Sequence, residues 1–222
     1  MKTIRIVILS VFAVVLGSPA LHAQDFSSYR NFSLGMKLAD VLKLTGLNLT
    51  VVKTNIQRPG LIQELNWWPP MAAVKDDRAE AVQQILFSFY NGELYKIRVT
   101  YDPRAVKGLT AEDMVQSISA RYGASSTALK APGNPEIEGY SQQAIAQWED
   151  PQYSVKLIHT AYSGGYILIL FSKSANAEAE TASVEAEKLE ARERPQKDAD
   201  RRKKEAADLE VERQKNKKTF QP

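Results

Sequence analysis

The sequence predicts an α+β fold made of two similar units, each a short helix packed on antiparallel strands, followed by a long charged C-terminal helix. Three observations carry this prediction. Amphipathic stripes that close on a glycine occur twice, at residues 35–46 and 108–123. Alternating apolar runs follow each stripe, at 85–99 and 144–171. The aromatic residues then stop: beyond residue 174 only Phe220 remains, so the earlier part holds the core and the rest is a tail. The implied divisions are a leader at 1–23, a first unit at 24–107, a second at 108–173 and the tail at 174–222.

The leader reads as an export signal. Met1, Lys2 and Arg5 give a basic start, the run 6–16 is mostly apolar, and Gly17-Ser18-Pro19-Ala20-Leu21-His22-Ala23 supplies a breaker and a small residue for cleavage. The apolar run is shorter than the roughly 20 residues a membrane-spanning helix needs, so cleavage between Ala23 and Gln24 is expected and no stable membrane anchor should remain. The predicted location is the periplasm or the extracellular space. Without Lys2 and Arg5 the 29 basic residues become 27 against 26 acidic ones, a net charge of +1. That balance lacks the clustered positive charge that nucleic-acid binding requires. Cysteine is absent, which removes disulfides, lipid-modified cysteine, thiolate metal sites and a cysteine nucleophile. Outside the leader His159 is the single histidine, so neither a serine-type triad nor a metal centre is expected, and no cofactor is implied.

The first helix is placed at 35–46, with Leu38, Val41, Leu42 and Thr45 on one stripe and Gly46 as its stop. The runs 85–89 and 95–99 form a hairpin around Tyr90-Asn91-Gly92-Glu93. A two-residue Asn91-Gly92 loop pairs Phe89 with Leu94 and sets Phe87 against Lys96, whereas a three-residue loop with Gly92 left-handed pairs Phe87 with Tyr95 and Ile85 with Ile97. The second arrangement is preferred, with Lys96, Arg98 and Thr100 on the outer face. A Pro-rich stretch at 58–77, containing Trp67-Trp68-Pro69-Pro70, reads as an insertion in the first unit. The second helix is capped by Thr110 and Asp113, carries Ala111, Met114, Val115, Ile118 and Tyr122 on its stripe, and ends at Gly123, about one turn longer than the first. Ala144, Ala146 and Trp148 then face Leu157, Val155 and Tyr153 across Asp150-Pro151. The run 166–171 is apolar on both faces and belongs at the centre of a sheet.

The stretch Leu34-Gly35-Met36-Lys37-Leu38-Ala39-Asp40-Val41, closed by Gly46 and followed by Phe89-Tyr90-Asn91-Gly92-Glu93-Leu94, resembles the opening of the small outer-membrane-assembly lipoproteins and of the β-lactamase inhibitor proteins. The resemblance covers residues 34–101 and implies a binding or scaffolding domain of the cell envelope without catalysis. This chain has no cysteine for acylation, and its second copy is more like the tandem inhibitor proteins. No functional residue is carried across from either family.

Trp67 and Trp68 are the leading binding candidates, because paired rings beside prolines offer a rigid anchor to a protein or glycan; the competing reading buries one of them against the sheet. Lys96 and Arg98 on the outer hairpin face join them. His159 shares the alternation of Tyr153, Val155 and Leu157, which makes it a core-edge histidine. A glycan hydrolase would need two carboxylates from Glu64, Asp76, Asp77, Glu136 and Glu138 in one cleft. In the tail a helix at 175–194, interrupted by Pro195, resumes at 198–218 as a charged rod without a coiled-coil seam. The function expected is therefore a non-catalytic module that binds another envelope protein or a cell-wall component, with a secreted inhibitor and a carboxylate-dependent hydrolase as alternatives.

Overall fold

The computed structural model describes residues 25–69, 81–126, 142–160 and 165–220. A small hairpin, β1 (Ser28–Tyr29) and β2 (Phe32–Ser33), leads into α1 (Leu38–Thr45), a one-turn 3-10 helix (Leu49–Val51), and strands β3 (Lys53–Ile56), β4 (Ile62–Trp67), β5 (Val82–Tyr90) and β6 (Glu93–Tyr101). The second unit is α2 (Ala111–Tyr122) with β7 (Gln142–Glu149), β8 (Tyr153–Thr160) and β9 (Gly165–Ser172); α3 (Lys173–Thr219) follows. Strands β3 to β9 form one antiparallel sheet in the order β3-β4-β5-β6-β9-β8-β7. The first unit contributes a four-stranded meander, β3 to β6, the second a three-stranded one, β7 to β9, and the two join through their last strands, β6 and β9. The apolar strand β9 thus lies inside the sheet, paired on both edges, as its two-sided pattern predicts.

Both short helices form for the reasons visible in their sequences. Gly46 closes α1 in the left-handed region at φ 70°, a conformation that costs other residues a Cβ clash. Thr110 and Asp113 make a reciprocal capping box on α2, each satisfying a backbone N–H of the first turn. Val41 of α1 and Met114, Ile118 and Tyr122 of α2 are buried on one face of the sheet with Phe87, Ile97, Leu157, Leu168 and Trp148. The Trp148 indole N–H donates to Gly123 O at 2.9 Å, which ties β7 to the end of α2. Phe32 of the small hairpin enters the same layer, its ring 4.6 Å from that of Phe87. A pair of two-residue strands leaves no periodic signal, which is why β1 and β2 are not foreseen.

Four expectations are corrected. The β5–β6 turn has two residues, Asn91 and Gly92, both at positive φ, and Phe89 does pair with Leu94. A bulge in β6 then inserts Tyr95, so that Phe87 meets Ile97 and Ile85 meets Val99. The twist-matched turn and the apolar register are both kept, because the extra residue sits in the strand and not in the loop. In the second hairpin Ala146 faces Leu157 and Trp148 faces Val155, while a bulge at Ile145 sets Ala144 against Ile158. The stretch 58–77 is not wholly an insertion: β4 lies within it and pairs along its whole length with β5, as β7 does with β8. Residues 70–77 lie outside the described residues. Finally, α3 runs through Pro195, which removes only its own bond to Ala191 O and does not end the helix.

Candidate binding surface on the α3 side of the sheet

Strand register arranges the second face of the sheet in rows. One row reads Lys53, Glu64, Ser88, Lys96, Phe171, Ser154, Glu149 across all seven strands. The next reads Asn66, Leu86, Arg98, Ile169, Lys156, Gln147. Lys96, Arg98 and Lys156 therefore stand on the central strands, interleaved with Leu86, Ile169 and Phe171, all six half-buried. The Lys96 ammonium lies 5.3 Å from the centre of the Tyr95 ring and that of Lys156 5.3 Å from the Phe171 ring. Burial pushes the Lys96 ammonium below its ordinary pKa, Glu180 and Glu64 pull it back, and Lys156 adds repulsion.

The helix α3 crosses one end of this face. Ala179 is 2 % exposed and packs with Ile62 and the bulged Tyr95, with Ile56, Tyr90 and Ala175 around them. Ala175, Ala179, Ala182, Ala186, Leu189 and Glu193 recur at steps of four and three and are the buried or half-buried side of the helix as far as the sheet edge. There Glu193 accepts from Arg58 at 2.8 Å. This docking is not legible in the large apolar residues of the tail, because the seam is built from alanine. Among the described residues Ser154 Oγ and Asn176 Oδ1 are buried without a hydrogen-bond partner.

A cavity of about 470 Å³ opens where β6 and β9 part. The two strands pair only from Lys96 and Phe171 onward, since the bulge diverts the start of β6 and the chain leaves β9 into α3. Tyr90, Tyr95, Tyr153, Glu93, Ser174 and Glu178 are among its lining residues, so both units and α3 contribute. Glu93 accepts from Lys37 at 2.5 Å. A concave, aromatic seam with a few polar groups is the kind of surface that ligands and partner side chains use. None of these residues carries a sequence motif, and the bulge at Tyr95 that marks the place is visible only in the structure.

The sequence candidates are dispersed. Trp67 turns to the α1 and α2 face, where its ring sits 5.7 Å from that of Phe32, whereas Trp68 is 61 % exposed. Trp67 is the last residue of β4 and Trp68 lies just beyond it in water, so the two rings do not form one anchor. Lys96 and Arg98 are on the α3 side and lie together. His159 is half-buried at the core edge, 5.1 Å from the Tyr166 ring. Glu64 stands in the first row of the α3 face; Asp76, Asp77, Glu136, Glu138, Ala23 and Gln24 lie outside the described residues. No three acidic or histidine side chains converge as a metal site among the described residues. No helix among them is long and apolar enough to cross a membrane. Comparison with protein-family models, curated proteins and solved structures gives no match.

Proposed function

We propose that the chain is an exported cell-envelope module that binds another envelope protein or a cell-wall component and catalyses nothing. The observation that carries this reading is the seam cavity, assembled from both units and from α3 and continuous through Tyr95 with the row that holds Lys96. The chemistry on this side is that of recognition: rings, half-buried cations and apolar side chains offered together. The leader supports export, and the resemblance of residues 34–101 to envelope scaffolds and inhibitors agrees with it.

The test uses two substitutions at exposed lining positions, Ser174→Trp to fill the cavity and Glu178→Arg to reverse its charge. Crosslinking in the native envelope should lose a reproducible partner in both variants, with stability within about 0.5 kcal/mol of the parent. Capture of the same partners by parent and variants would reject the seam. An intact, uncleaved amino terminus in the cell interior would reject export, and turnover of a glycan by the purified protein would reject a purely binding role.

A further inference from the structure

The helix α3 divides into two parts of opposite charge. From 173 to 193, where it lies on the sheet, it has three basic and six acidic residues; from 194 to 219 it has ten basic and six acidic residues, a net +4. The second part projects from the body. Every residue from 199 to 220 is exposed, and 26 residues at 1.5 Å each make a rod of about 39 Å.

We infer that this distal rod rests on an anionic phospholipid surface. Four of its six acidic residues, Asp198, Glu205, Asp208 and Glu212, at steps of seven, three and four, share one side of the helix, while Asp200 and Glu210 lie elsewhere and are engaged by Gln196 and by Arg213 and Gln214. Arg201 and Arg213 are engaged by carboxylates on the rod itself, at Asp198, Glu205 and Glu210. Arg202, Lys203, Lys204, Lys215, Lys217 and Lys218 form no ion pair among the described residues and are spread over the rest of the helix circumference. Six unpaired cations on a stiff, fully solvated element are a surface for which the body offers no counter-charge. The acidic first part would be repelled by the same lipids, which orients the rod downward and keeps the seam away from the bilayer.

The chemistry selects a headgroup surface and excludes insertion. Leu209, Val211 and Phe220 are the large apolar side chains exposed on this part, too few for an apolar face. Attachment is thus electrostatic and reversible, and each cation near the surface strengthens it severalfold at low salt. A Debye length near 10 Å at about 0.1 M salt means that the attraction fades as salt rises.

The experiment is co-sedimentation of the full chain with phosphatidylcholine vesicles, plain or with about a third phosphatidylglycerol, in about 25 mM and about 300 mM salt. Binding common to both vesicle types belongs to other segments, the apolar leader included; the excess on anionic vesicles is the readout. That excess should vanish at the higher salt. It should fall at least tenfold when Lys215, Lys217 and Lys218 are changed to Gln, and again for the Gln triple at Arg202, Lys203 and Lys204, with helicity by circular dichroism unchanged. Lys188→Gln with Arg192→Gln, in the docked part, should leave it intact. No excess at low salt, or an excess indifferent to both triples, overturns the inference, as does stronger salt-sensitive binding to duplex DNA than to the anionic vesicles. Ser174→Trp and Glu178→Arg should not alter lipid binding, so failure here and failure of the seam are separate results.

Discussion

The two faces of the seven-stranded sheet are built from different kinds of side chain. Under α1 and α2 lie Trp148, Phe87, Phe89, Leu157 and Leu170, all essentially inaccessible. Under α3 the buried cluster is Ile62, Tyr95 and Ala179, and the central strands beside it keep Lys96, Arg98 and Lys156 half-buried. A large apolar side chain fully buried contributes roughly 1.5–3 kcal/mol, so the first face can hold the fold by itself. The second face is then free to carry charge. The difference teaches how a chain without cysteine can rest its stability on one face of a sheet and leave the other to charge.

The sharpest way to break this comparison is at Trp148. Trp148→Ala removes a fully buried indole and its bond to Gly123 O, and should cost about 3–5 kcal/mol in denaturant unfolding. A loss below about 1 kcal/mol would mean that the α1 and α2 face does not dominate stability. Ala179→Leu comes next, since overpacking against Ile62 and Tyr95 should cost about 1–3 kcal/mol. Hydrogen exchange should then show α3 losing protection while β8 and β9 retain theirs; uniform loss would show the two faces to be one cooperative layer.

The smallest effect is of opposite sign. Because burial depresses the Lys96 ammonium, the folded state disfavours its charged form, a cost present below the lowered pKa and relieved as pH rises toward the unfolded value near 10.4. Lys96→Met should therefore stabilise the protein, by less than about 1 kcal/mol for a group still partly in water. The parent should close that gap in alkali. Equal or lower stability of the variant at neutral pH would show that Glu64, Glu180 and the Tyr95 ring more than offset the burial.

Much of this architecture was legible because its causes are local. The glycine that ends α1, the capping box of α2 and the two-sided apolarity of β9 are properties of a few adjacent residues, and each was recovered in place. Lys96 and Arg98 share the face that the sequence predicts although the loop differs, because the bulge restores the parity that the tight turn breaks. The tryptophan pair shows the converse: composition marks both rings, but only the place where β4 ends turns Trp67 inward and leaves Trp68 in water.

The sequence by itself determined the α+β class, the helix boundaries at Gly46 and Gly123, and the charge of the tail, since propensity, capping and period act over one or two turns. Tertiary structure alone decided that the two meanders share one sheet through β6 and β9, that Tyr95 leaves the register, and that a stripe of alanines holds α3 against it. Those outcomes depend on which surfaces meet. An alanine carries almost no burial signal of its own, and becomes a docking residue only when a partner face stands close enough to need a small one.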